Sequence, residues 1–196
     1  MKNSTTKDRI LETALLLFAT EGYDRVSIRN LADSVGIQPG SLYNHYKGKE
    51  DILQSCYNYF INHRHDNRLT KSEYTPIIKD GTKEEVINVL NYVCKEGSSV
   101  NMVYSLSIVF SRMYIDETAT AICANEIKEH SDYAADFFNT GIKLGRFFCF
   151  NVPVVSWIYL SSIMFTALIK VRKLSEWRQI EFDIFKEFMK LVPFKY

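Results

Sequence analysis

Residues 27–49 read SIRNLADSVGIQPGSLYNHYKGK, and this stretch decides the fold. Ser27 precedes a periodic apolar run, Ile28, Leu31 and Ala32, where a helix wants a capping side chain. Asn30 takes the third position after that cap, where a full capping box wants Glu or Gln, so an imperfect box is expected. Gly36 follows Val35 and closes the helix. The next helix is short, over 38–45, with Pro39 in its first turn, where a missing N–H costs nothing. Lys47, Gly48 and Lys49 form a turn. Two short helices joined across a glycine turn are the geometric core of a helix-turn-helix, whose second helix enters the major groove of DNA.

Working outward, 7–20 predicts a helix with Ile10, Leu11, Ala14, Leu17 and Phe18 inward, Thr5 or Thr6 as cap, Asp8 in the first turn and Gly22 as stop. A further helix starts near Glu50 and carries Ile52, Leu53, Cys56, Tyr57 and Phe60. The polar stretch 62–83, with Pro76 and Gly81, reads as a junction. Beyond it the pattern is helical throughout: 82–95, 102–114, then 117–130 and 133–148 as separate helices or one kinked pair. Gly141 and Gly145 are expected on one face of the latter, allowing close approach or ligand space. Pro153 opens a helix to about 172, and Ser175 caps the last one.

The chain has 196 residues, 46% of them apolar, and a net charge of +1. That length buries a core without metal or disulfide. The near-zero charge argues against coating nucleic acid through bulk charge, but leaves room for a local phosphate-binding patch. Cys56, Cys94, Cys123 and Cys149 lack zinc or thioredoxin spacing, so reduced cytoplasmic thiols are expected. The N-terminus MKNSTTKDRI has no apolar signal stretch. Polar residues interrupt the apolar run 152–171, which reads as a buried helix rather than a membrane span. With no nucleophile elbow, metal triad or phosphate loop, an enzyme is not expected, and neither is a cofactor or metal.

The stretch 36–49 has the chemistry of a DNA reader. Gly40 and Ser41 are small enough for close approach to base edges, and Gln38 can pair with adenine or donate to a phosphate. Tyr43, His45 and Lys49 can reach phosphates, while Leu42 and Tyr46 face inward. Ser27 and Arg29 stand where helix N–H groups also point at DNA. The stretch RILETALLLFATEGYDRVSIRNLADSVGIQPGSLYNHYKGKEDIL, residues 9–53, resembles the DNA-binding domain of the tetracycline-repressor-like (TetR/AcrR) family of bacterial transcription regulators. The likeness rests on Ile10, Ala14, Leu17, Phe18, Gly22, Tyr23, Ser27, Ile28, Leu31, Ala32, Gly36, Gly40, Leu42, Tyr43, Tyr46, Lys49 and Leu53. Tyr46 stands where Phe is usual, Ile37 where Val is common, and Pro39 where Ser or Lys is common.

The resemblance implies that Tyr43 and His45 touch phosphates, that Lys49 anchors the backbone, and that Ser27, Arg29, Gln38 and Ser41 lie at the DNA surface. It implies an all-α fold: a three-helix helix-turn-helix domain over 1–49, then a helical effector-binding and dimerisation domain over 50–196. The expected partners are a palindromic double-stranded operator, a second copy of the chain and a small-molecule effector, with no membrane. A two-fold frame reads half-sites about 34–36 Å apart. The last two helices, with Trp157, Ile158, Leu160, Ile163, Met164 and Phe165 in one and Ile180, Ile184, Phe185 and Phe188 in the other, suit a four-helix dimer interface. Asn101, Tyr104, Phe110, Tyr114, His130, Phe138 and Tyr159 are the candidate effector contacts, suited to an apolar or flat ligand. The expected function is a homodimeric repressor released by such a ligand. The alternative is an architectural or adaptor protein that binds DNA without an effector.

Overall fold

The computed structural model describes residues 5–64, 68–90, 100–171, 190 and 192–195. Among these the regular structure is helical: α1 Thr6–Thr20, a 3₁₀ turn Tyr23–Arg25, α2 Ile28–Val35, α3 Pro39–Leu42, α4 Lys49–His63, α5 Lys71–Asp80, α6 Lys83–Leu90, α7 Val100–Arg112, α8 Glu117–Lys143 and α9 Val152–Val171. Extended pairing among the described residues is limited to an isolated antiparallel bridge between Phe147 and Phe194. The chain divides by packing into two units, residues 1–64 with 99–123, and 65–98 with 124–196.

In the first unit α1 is the organising element, packed against α2, α4 and α7. Thr5 caps it reciprocally with Asp8, whose backbone N–H donates to Thr5 Oγ1 at 3.2 Å. Its buried side chains are Ile10, Ala14, Leu15, Phe18 and Ala19. Leu11 and Leu17, expected inward, are only partly buried, and Leu15 replaces them. α1 packs against three helices, α2, α4 and α7, more than the single amphipathic face its period predicts would serve.

The cap of α2 is also more complete than expected. Asn30 Oδ1 accepts from the Ser27 backbone N–H at 3.2 Å while Ser27 Oγ accepts from the Asn30 N–H at 3.1 Å. The amide oxygen of Asn30 thus does the work expected of Glu or Gln. Gly36 closes α2 with φ +77°, the left-handed conformation that glycine adopts without Cβ strain. The Arg9 guanidinium donates to the Val35 carbonyl at 2.5 Å and ties the end of α2 to α1. α3 is shorter than 38–45. Its α-helical part ends at Leu42, and residues 43–45 continue as a tight turn in which the His45 N–H donates to the Leu42 carbonyl at 2.9 Å.

The second unit is built on aromatic side chains. Tyr74, Ile78, Val86, Val89, Leu90, Ala134, Phe137, Phe138, Phe147 and Tyr159 form its core. The junction 62–83 holds the end of α4 and all of α5, whose Tyr74 hydroxyl donates to Asp136. The stretch 117–148 is one uninterrupted helix to Lys143 rather than two. A Schellman turn ends it: the Arg146 N–H donates to the Gly141 carbonyl at 2.8 Å, the Gly145 N–H to the Ile142 carbonyl at 3.0 Å, and Gly145 has φ +73°. Gly141 and Gly145 therefore do not share a helix face. Gly141 makes room for the Phe147 ring, and Gly145 turns the chain. The expected helix from Ser175 lies outside the described residues, as do Cys94 and the side chains of Ile163, Met164 and Phe165.

Candidate nucleic-acid interface

α2, the turn at Gly36 and α3 form the helix-turn-helix, with α2 and α3 packed on each other. Leu42 and Tyr46 are buried and pin the second element to the domain. The Tyr46 hydroxyl donates to the Lys7 carbonyl at 3.4 Å, and burial pushes that phenol up to about 12. The opposite face is left to solvent. Gln38 is the N-cap residue of α3, exposed, and its side chain makes no capping bond, so its amide remains available. Tyr43 is 57% exposed. Ser41 and His45 are half-buried beside it, and Ser27 and Arg29 are exposed at the start of α2.

Lys49 is the first residue of α4, and its ammonium sits 4.1 Å from the centre of the Tyr23 ring. Desolvation there lowers its pKa, with Asp24 opposing and Arg112 adding to the shift. The Arg112 guanidinium lies 4.4 Å from the centre of the same ring. The Tyr23 hydroxyl donates to Glu50 at 3.0 Å. Tyr23, Asp24, Glu50 and Arg112 were not anticipated as part of this site, because no local pattern links Arg112 at the end of α7 to the turn after α1.

These positions, small or polar on one face and apolar on the other, repeat a known arrangement. Residues 10–56 match the family described as bacterial regulatory proteins, tetR family. This segment is a tetR-family DNA-binding domain. It is 42% identical over 59 residues to the biofilm operon icaADBC HTH-type negative transcriptional regulator IcaR of Staphylococcus epidermidis, a match covering 28% of this chain and 32% of that protein. The likeness to the curated relatives thus spans about a third of their length. Over nearly the whole chain the fold recurs in solved transcription regulators. The ketosteroid transcriptional regulator KstR2 of Mycobacterium tuberculosis superposes with a TM-score of 0.65 at 19% identity, covering 98% of this chain and 97% of that one. AibR, solved in complex with isovaleryl coenzyme A and operator DNA, superposes with a TM-score of 0.64 at 19% identity, covering 97% and 100%.

The candidate effector residues fall in both units. Asn101, Tyr104 and Phe110 are half-buried on α7, and Tyr114, in the turn after it, is 86% exposed. In the second unit His130 is buried on α8, its Nε2 2.5 Å from Glu126 Oε1. Phe138 packs edge-on against Phe137 and Phe150, and the buried Tyr159 hydroxyl donates to the Leu90 carbonyl at 2.7 Å. Cys56 and Cys123 are buried and Cys149 is exposed; burial pushes the Cys56 thiol up to about 12. Among the described residues no helix is long and apolar enough to cross a membrane.

Proposed function

We propose that the chain is a homodimeric, sequence-specific DNA-binding transcriptional regulator of the cytoplasm, a repressor released from a palindromic operator by a small apolar or aromatic ligand. The observation that carries this reading is the two-faced recognition element, with Leu42 and Tyr46 buried beneath it and Gln38 and Tyr43 presented outward. In this reading Gln38 and Ser41 approach base edges. Ser27, Arg29, Tyr43, His45 and Lys49 hold phosphates, and phosphate contacts set register and orientation. Residues 1–49 read DNA and 50–196 bind effector and pair the subunits. Support comes from IcaR, named a negative transcriptional regulator, and from AibR, crystallised with both an acyl coenzyme A and operator DNA.

Dimerisation is supported by α9, which leaves Val154, Trp157 and Ile158 exposed on one apolar stripe. The test is selection of duplexes from a random library by the full-length protein, then a mobility shift on the enriched site. A palindromic site is expected, and enrichment of nothing counts against the reading. Phe138 and Tyr159 are taken up in core packing, which favours a second reading, a DNA-binding adaptor without effector. A thermal-shift screen with acyl coenzyme A and aromatic compounds separates the two, since a ligand present at 100 times its Kd stabilises by about 2.7 kcal/mol.

A further inference from the structure

Tyr23 is shared by two cations. The Lys49 ammonium lies 4.1 Å and the Arg112 guanidinium 4.4 Å from the centre of its ring. A phenol that donates its proton to a carboxylate, as Tyr23 does to Glu50, has a more electron-rich face, which favours both contacts. Arg112 is tied down from three sides. Its Nη1 is 3.6 Å from Asp24 and its Nε 3.6 Å from Asp116, while its planar group faces the ring. Asp116 is itself immobilised by the backbone N–H groups of Thr118 and Ala119 at the start of α8 and by the Tyr57 hydroxyl at 2.9 Å. The arginine side chain is only 13% exposed, whereas Asp24 is 80% exposed. Arg112 is thus the cation in ion-pair contact with Asp24, and it competes with Lys49 for that carboxylate.

We propose that Arg112 is a positioning residue for DNA binding: by occupying Asp24 and one share of the Tyr23 ring, it leaves Lys49 free to take a DNA phosphate. Loss of the Arg112 contact leaves Asp24 without that cation, so that it captures the Lys49 ammonium and removes one phosphate contact. α7 packs directly on α1 and α4 within the same unit, so Arg112 and the site it acts on are neighbours. The inference rests on the reading of Lys49 as a phosphate anchor, and it names the residue on α7 that positions that anchor.

The test uses the full chain and a labelled duplex enriched by it from a random library, with affinity read by fluorescence anisotropy across a salt series. R112M keeps the packing stem and loses the charge. It should weaken binding about threefold to tenfold and flatten the slope of log affinity against log salt by about 0.9, the value of one phosphate contact on duplex DNA. K49M should do the same, and R112M/K49M should be no weaker than K49M alone. D24N should restore both affinity and slope in the R112M background, an outcome a purely structural role for Arg112 does not produce. If R112M does not fold by circular dichroism, R112Q takes its place with the same expectations. Multiplicative effects in the double variant, an unchanged salt slope, or no rescue by D24N overturn the inference while leaving the function intact. Failure of the wild-type chain to enrich any duplex overturns both.

Discussion

At the scale of single residues, backbone freedom and side-chain space decide what the chain tolerates. A Cβ on Gly141 would collide with the Phe147 ring. G141A gains roughly 1 kcal/mol of helix propensity but meets an overpacking cost of roughly 1–3 kcal/mol. Chemical denaturation should therefore show a net loss of about 1 kcal/mol. In G141A/F147L the loss should be smaller than the sum of the two single losses, because the leucine vacates the space the new methyl needs. The pairing of glycine and ring was not legible in sequence. Gly141 and Gly145 look alike as letters four apart, yet one clears space and the other turns the chain.

Among the elements, caps carry the helix boundaries. Ser27 and Asn30 satisfy each other's backbone N–H groups at the start of α2. S27A should cost about 1 kcal/mol of stability, measured by thermal unfolding, a value typical of a lost N-cap. Asp116 plays the corresponding part for α8. Burial alone would raise its carboxyl, but hydrogen bonds from the Ala119 N–H, the Tyr57 hydroxyl and the Thr118 N–H, with the Arg112 charge, together hold it below the usual range. A depressed folded value means that the stabilisation is complete above the unfolded value of about 3.9 and is lost as pH falls through the folded one. D116N should therefore show a shallower loss of stability on acidification than the wild type, measured by urea midpoints from neutral pH downward. An identical acid limb in the variant would remove Asp116 from the account. Caps at Thr5, Ser27 and Gly36 were readable because they are local. The extent of α3 was not, because a four-residue helix and a tight turn present the same short apolar spacing.

For the whole molecule, the exposed stripe of α9 makes the clearest prediction. Trp157 is 53% exposed although its neighbours Leu160 and Tyr159 are buried. W157E should weaken self-association by about 2 kcal/mol or more, roughly thirtyfold, as expected for a tryptophan at the centre of an interface. Sedimentation velocity over a concentration series reads this directly, and an unchanged sedimentation coefficient places the interface elsewhere. The sequence by itself determined the helix-turn-helix, its caps, the inward pair Leu42 and Tyr46, and the exposure of Gln38 and Tyr43. All of these follow from spacing within a few residues, where helical period and capping chemistry act. Only the tertiary structure decided that Leu15 joins the core, that 117–143 is one helix, and that Arg112 reaches Tyr23 and Asp24. Those outcomes depend on which distant segment packs against which, and neither period nor motif encodes a contact between residues so far apart in the chain.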